Sequence, residues 1–233
     1  MYIPPHFNEE RVEVLHQLIR EHGLATLVTY GPSGLIASHV PLVLDTSSVG
    51  ADADAAASAG VGAAHLGTLR GHLSRANQQW RDYSPEVPAL AIFAGPQHYI
   101  TPSWYPAKAE HGKVVPTWNY IVVHAYGRLE TYDDRESLLA NVEALTTHHE
   151  AKRAEPWKVS DAPASYVDAQ LKGIIGISLR IDRLEGKWKI SQNRSAADQA
   201  SVAAALHDAG SDASVARAQS MNESIDESTR RKR

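Results

Sequence analysis

The chain has 233 residues, 43% of them hydrophobic and 21% charged, which is enough apolar material for a sizeable core. A net charge of −4 gives no general attraction to nucleic acid, and the lack of cysteine excludes disulfides, thiolate nucleophiles and cysteine-held metals. No apolar run approaches the roughly 18 residues of a membrane span, and the start Met1-Tyr2-Ile3-Pro4 lacks the basic and apolar regions of a signal peptide, so a cytoplasmic protein without a membrane partner is expected.

Asn8 reads as the N-cap of an amphipathic helix over about residues 9 to 22. Val12, Leu15, Leu18 and Ile19 recur at helical spacing, and Gly23 is a natural stop. Leu24 to Tyr30 and Leu35 to Leu44 are rich in β-formers and flank the turn Gly31-Pro32-Ser33-Gly34, which predicts a hairpin. Residues 46–62 form a Ser/Ala/Gly/Asp tract with almost no large apolar side chain, the composition of a flexible insertion. Ala63 to Leu73 reads as a returning strand, Ala76 to Tyr83 as a short helix, and Val87 to Ala94 as a buried strand ended by Gly95-Pro96, with Gln97 to Thr101 as a further stretch of sheet.

Asn119 to Thr131 predicts a long strand with a bulge at Gly127. Asp133 with Glu136 suggests a capped helix to about Lys152, its apolar face made by Leu138, Leu139, Val142 and Leu145. Asp161-Ala162-Pro163 starts another helix, with Tyr166 and Leu171 inward. Gly173 to Leu184 reads as a strand, Glu185-Gly186 as a turn, Lys187 to Ser191 as a short strand and Asp198 to Leu206 as a helix. Residues 208–233 end in Arg230-Arg231-Lys232-Arg233 and read as a disordered tail. Six to eight strands with three or four helices, and no strand–helix–strand alternation, predict a mainly β protein: one closed antiparallel barrel with peripheral helices over residues 1–207.

Two stretches carry chemistry. In Gly71 to Trp80, Ser74, Arg75 and Asn77 offer hydroxyl, guanidinium and amide donors within four positions, with His72 beside them. Arginine matches phosphate bidentately, so this reads as a phosphate clamp, although a surface helix start with a structural salt bridge is the commoner meaning of an arginine near a serine. In Ser103 to Tyr120, Trp104, Tyr105, Trp118 and Tyr120 flank a basic loop. That composition suits stacking on a planar ligand, a subunit interface or a packed core corner. His148-His149-Glu150 lacks the i, i+4 histidine pairing of a helical zinc site, so no metal is expected. There is no GxSxG, GxGxxG or P-loop. The basic end of the tail is the only concentrated basic run, and contact with DNA through it is weakly supported.

Several strings together resemble the PaiB-type, FMN-binding negative transcriptional regulators, whose fold is similar to the flavin-binding split barrels of the flavin reductase and pyridoxamine-oxidase kind. They are Met1-Tyr2-Ile3-Pro4, Ser38-His39-Val40-Pro41-Leu42, Gly71-His72-Leu73-Ser74-Arg75-Ala76-Asn77, Tyr99-Ile100-Thr101-Pro102-Ser103-Trp104-Tyr105, Val115-Pro116-Thr117-Trp118-Asn119-Tyr120 and Gly186-Lys187-Trp188-Lys189-Ile190-Ser191-Gln192-Asn193. The resemblance implies a homodimer that binds FMN near the subunit interface. It implies that Ser74 and Arg75, with His72 and Asn77, hold the flavin phosphate. Lys189, Gln192 and Asn193 would approach the flavin, and Thr117 and Trp118 would line its ring or the dimer seam. Two positions depart from the family pattern: Ser74 stands where alanine is usual, and Gln78 where proline is. A flavin-dependent oxidoreductase, and a barrel holding haem or another ligand, are the competing expectations.

Overall fold

The computed structural model describes residues 1–47 and 66–208. All but the first two residues of the expected insertion, and the tail past Asp208, lie outside them. The described elements are β1 (Asn8–Glu9), α1 (Val12–Glu21), β2 (Leu24–Gly31), β3 (Gly34–Asp45), β4 (Thr68–Ser74), β5 (Ala89–Ile100), α2 (Ala107–His111), β6 (Thr117–Tyr132), α3 (Arg135–Glu150), α4 (Ala164–Leu171), β7 (Ile174–Lys189) and α5 (Ala196–Asp208). The strands form a seven-stranded sheet in the order β1-β7-β4-β3-β2-β5-β6, and β7 also pairs with β6, so six strands return on themselves as a split barrel. No helix among the described residues is long and apolar enough to cross a membrane.

The chain forms two compact units. One contains Glu10–Phe93 and Val123–Glu185. Here β2 and β3 pair in register from Leu24↔Pro41 to Gly31↔Gly34, as the turn signal predicts. Gly34 takes φ +95, the left-handed backbone that glycine adopts at no steric cost. Strand alternation sends Ala25, Leu27, Leu69, Leu73, Ile177 and Leu179 inward, and the apolar stripe of α1, with Leu15 and Ile19, is buried. At Gly127 any Cβ would collide with the Arg180 carbonyl, so only glycine lets β6 run this close to β7. The other unit contains Met1–Glu9, Ala94–Val122 and the described residues from Gly186 to Asp208. Here β1 pairs Asn8 with Lys187 and Glu9 with Gly186.

Several expectations need correction. Asn8 is a strand residue, and Arg11 takes the N-cap of α1 without a side-chain hydrogen bond. Gly95-Pro96 does not end β5. The β2 pairing reaches only to Ile92, so Pro96 removes no hydrogen bond to β2. Glu185-Gly186 is not a turn. Pairing with β1 holds it extended, and β7 runs unbroken through it. The cap of α3 is Asp134, which accepts from Ser137 N–H at 2.8 Å; Asp133 lies outside the helix. Leu138 and Leu145 are buried there, but Asn141, not Val142, is the third buried residue of that helix. Ala76 to Tyr83 makes only a 3-10 turn at Gln78–Trp80. Leu171 is buried as expected, whereas Tyr166 is 58% exposed.

Candidate functional site

The expected site residues divide between the two units. His72, Ser74, Arg75 and Asn77 belong to the first, and Thr117, Trp118, Lys189, Gln192 and Asn193 to the second.

In the first unit β4 ends at Ser74, and the chain turns into the Gln78–Trp80 helical turn. The Asn77 side chain caps that turn, accepting from Gln79 N–H at 3.0 Å, while its Nδ2 donates to Ser38 Oγ at 2.9 Å. Ser74 Oγ accepts from Ala76 N–H at 3.3 Å. Arg75 donates from Nε to the Lys172 carbonyl at 3.0 Å and from Nη2 to the Ile174 carbonyl at 3.2 Å. Its Nη1 lies 3.7 Å from Asp133 Oδ2. The guanidinium thus ties the chain between α4 and β7 to the end of β4. It also borders a depression of about 260 Å³ that is shared with Asp133, Arg135, Asp168 and Lys172. There Arg135 pairs with Asp168 at 2.7 Å.

His72 accepts at Nδ1 from Asn141 Nδ2 at 3.4 Å, which leaves its ring proton on Nε2. Burial holds its pKa below the ordinary histidine value, because the charged ring would lose solvation. The most buried polar side chain here, Gln79, was not singled out in the sequence. Its Nε2 lies 3.1 Å from the Leu27 carbonyl, 3.2 Å from Thr29 Oγ1 and 3.2 Å from the Ile36 carbonyl, and it stitches β2 to β3. A lone glutamine in a polar string gives no sequence signal for that role.

In the second unit Lys189, the last residue of β7, donates from Nζ to Thr117 Oγ1 at 2.6 Å and to the Trp118 carbonyl. Both acceptors are neutral. Burial, then the like charges of Lys187 and Arg194, hold the Lys189 pKa below the ordinary lysine value. The Lys187 ammonium lies 5.3 Å from the Tyr120 ring centroid, and Lys189 lies 5.9 Å from that of Phe7. Trp118 is 53% exposed and meets Tyr99 edge to face, with ring centroids 5.9 Å apart.

After Lys189 the chain makes a strained turn. Ser191 has φ 72, a conformation uncommon outside glycine. Its hydroxyl is hydrogen-bonded with Asn119, a fully buried amide, at 3.0 Å. Gln192 closes the turn, accepting from Ile190 N–H at 2.8 Å and donating to the Trp188 carbonyl. Asn193 is exposed. Ser191 and Asn119 are site-shaping residues that composition alone did not mark.

FMN carries a phosphate and a planar, largely apolar ring. The second unit offers the cations Lys187, Lys189 and Arg194, with no carboxylate of the described residues among the charges acting on Lys189, beside two solvent-facing aromatic rings. An anion there answers the charge excess, so these residues fit the group. Arg75 fits less directly, since two of its N–H groups already serve carbonyl oxygens. Among the described residues, no three His, Cys, Asp or Glu side chains converge as a metal site would need; His148 instead bonds the Arg20 carbonyl at 2.9 Å.

The family model described as "Putative FMN-binding domain" matches residues 1–183, and the chain belongs to that family. FMN is the cofactor that the family's description gives. The matched stretch contains His72 to Asn77 and Thr117-Trp118; Lys189 follows it. An uncharacterized protein of Emericella nidulans is 37% identical over 245 residues, covering 91% of this chain and 93% of its own. Protease synthase and sporulation protein PAI 2 of Bacillus subtilis is 28% identical over 202 residues, 87% of each chain, which bears out the PaiB-type resemblance. The flavocytochrome Anf3 of Azotobacter vinelandii superposes with a TM-score of 0.56 at 10% identity, covering 85% of this chain and 78% of its own. An FAD and heme binding protein of Mycobacterium smegmatis gives 0.53 at 15% identity, covering 83% and 78%. Those two likenesses establish the fold.

Proposed function

We propose that this chain is a PaiB-like flavoprotein that works as a homodimer, holds the FMN phosphate at the Lys189 cluster, and acts as a negative regulator of transcription. The observation that carries the site is the Lys189 ammonium, held on the Thr117 hydroxyl and the Trp118 carbonyl with the like charges of Lys187 and Arg194 beside it. A phosphate there would turn a mutual repulsion into charge-assisted hydrogen bonds. The Ser191 turn and its Asn119 bond fix where Lys189 and Gln192 project. Trp118 and Tyr99 supply exposed aromatic surface for a flat ring.

Bound FMN supplies reversible electron transfer, and the chain supplies charge, orientation and shielding from water. The regulatory part of the reading is supported by kinship with PaiB-type proteins. Purified protein titrated with FMN tests the site, and DNA binding measured with and without FMN tests the regulation. Flavin uptake with NADH-driven turnover and no DNA binding would replace the regulator with an oxidoreductase.

A further inference from the structure

The second unit has a groove that the proposed function does not use. Its volume is about 520 Å³, and its lining includes Ser103, Trp104, Tyr105, Lys108 and Ser201. Thr101 caps the helical turn Pro102–Trp104 at its edge, accepting from Ser103 N–H at 3.3 Å. The buried Asp198 of α5 accepts from Ala107 N–H at 3.3 Å and so ties the start of α2 to α5. Trp104 stacks on His98, with ring centroids 5.5 Å apart and planes at 30°. His98 and Tyr99 are consecutive on β5 and face opposite sides of it, which sets Trp104 away from the Tyr99–Trp118 surface proposed for the flavin.

Two side chains of the groove call for an acceptor. Tyr105 is 2% exposed, and its hydroxyl has no hydrogen-bond partner among the described residues. Buried hydroxyls are nearly always paired, and leaving one unmet costs free energy that a ligand oxygen reaching it from the groove would recover. Lys108 is exposed, and its ammonium donates to the neutral Ser103 Oγ at 3.2 Å without an ion pair to a described residue. A carboxylate answers both groups, with one oxygen for the ammonium and the other for the phenol. Trp104, backed by His98, is a flat wall for a ring. A phosphate carries more charge and is better served by the three cations around Lys189.

We propose that this groove is a second small-molecule site, separate from the flavin's, that takes a flat aromatic monocarboxylate. The Lys108 ammonium and the Tyr105 hydroxyl hold the carboxylate, and Trp104 packs against the ring.

Benzoate is the probe, with acetate and benzamide as controls that lack the ring or the charge. In calorimetric titration of the full chain, benzoate is expected to bind saturably at millimolar concentration, as its small size allows, and each control about tenfold more weakly. Tyr105→Phe and Lys108→Met are each expected to weaken benzoate binding about tenfold and to leave FMN uptake unchanged. Because Tyr105→Phe removes a hydroxyl that has no partner, its urea midpoint without benzoate is expected to equal or exceed that of the wild type. Lys108 is exposed, so Lys108→Met tests the site even if the tyrosine variant folds poorly. Benzoate that binds no tighter than benzamide, or that binds Lys108→Met as well as the wild type, would overturn the site. FMN that displaces benzoate mole for mole would make the groove part of the flavin site and overturn a separate one. Benzoate binding in a protein that takes up no FMN would uphold the groove and remove the flavin reading instead.

Discussion

Lys189 and Thr117 are joined by a hydrogen bond of 2.6 Å from ammonium to hydroxyl, and the charges acting on Lys189 are those of Lys187 and Arg194. A cation held by neutral groups among other cations is prepared for an anion. Replacing Lys189 by Met removes the charge and keeps most of the volume. FMN affinity is expected to fall about 10- to 100-fold, the worth of one charge-assisted hydrogen bond. Lys189→Arg is expected to recover part of that loss. Quenching of flavin fluorescence gives both constants, and equal affinity in Met and Arg variants would remove the charge from the account.

The lowered Lys189 pKa has a consequence for FMN binding. A lysine below its ordinary value loses its proton earlier as pH rises, so affinity is expected to begin falling below the usual lysine range of about 10.4. In Lys189→Arg that decline is expected to disappear, because arginine stays charged.

Arg75 ties the Lys172 and Ile174 carbonyls to the end of β4. Arg75→Ala is expected to destabilise the fold by about 2 kcal/mol, since it strands partly buried carbonyls. A smaller change in FMN affinity than that of Lys189→Met is expected. Urea unfolding and flavin titration of one preparation compare the two. A stable Arg75→Ala protein with strongly weakened FMN binding would return the phosphate to the β4 end.

Folding stability is expected to fall on mild acidification. Burial lowers the pKa of His16, His72 and His124 from the ordinary 6.5. With folded pKa values below the unfolded one, the unfolded chain binds more protons in the window between them. Stability is therefore fully present above about pH 6.5 and is lost as pH falls below it. His72→Gln keeps a hydrogen-bonding side chain near Asn141 and cannot titrate, so urea midpoints of this variant from pH 7.5 to 5 are expected to show a shallower decline.

The Ser191 turn separates strain from hydrogen bonding. Ser191→Ala loses the hydroxyl that partners buried Asn119 and keeps a side chain at φ 72. Ser191→Gly loses the same hydroxyl but relieves the backbone. The glycine variant is expected to be the more stable by about 1 kcal/mol in chemical unfolding.

The barrel was legible because the strands obey local rules. The alternation in Leu24 to Leu44 and the Gly31-Pro32-Ser33-Gly34 signal give the hairpin as it stands. Where sequence reading went astray, a distant partner overrides a local preference. Glu185-Gly186 looks like a turn until β1 pairs with it, and Gly95-Pro96 looks like a stop until β2 is seen to end its pairing at Ile92. In the site, Arg75 drew attention because Ser, Arg and Asn stand close in sequence, and its guanidinium also serves carbonyls about a hundred positions away, which no local pattern announces. Lys189 and Thr117 lie 72 positions apart, and no local pattern announces their contact. Only the resemblance to a known family brought both into view.

The most direct measurement is the visible absorption spectrum of the purified protein during titration with FMN. A saturating, stoichiometric shift of the flavin bands in the wild type, strongly weakened in Lys189→Met, is the predicted result. A spectrum that stays that of free flavin at every ratio, or a Lys189→Met titration that overlays the wild type, would contradict the flavin site proposed for this chain.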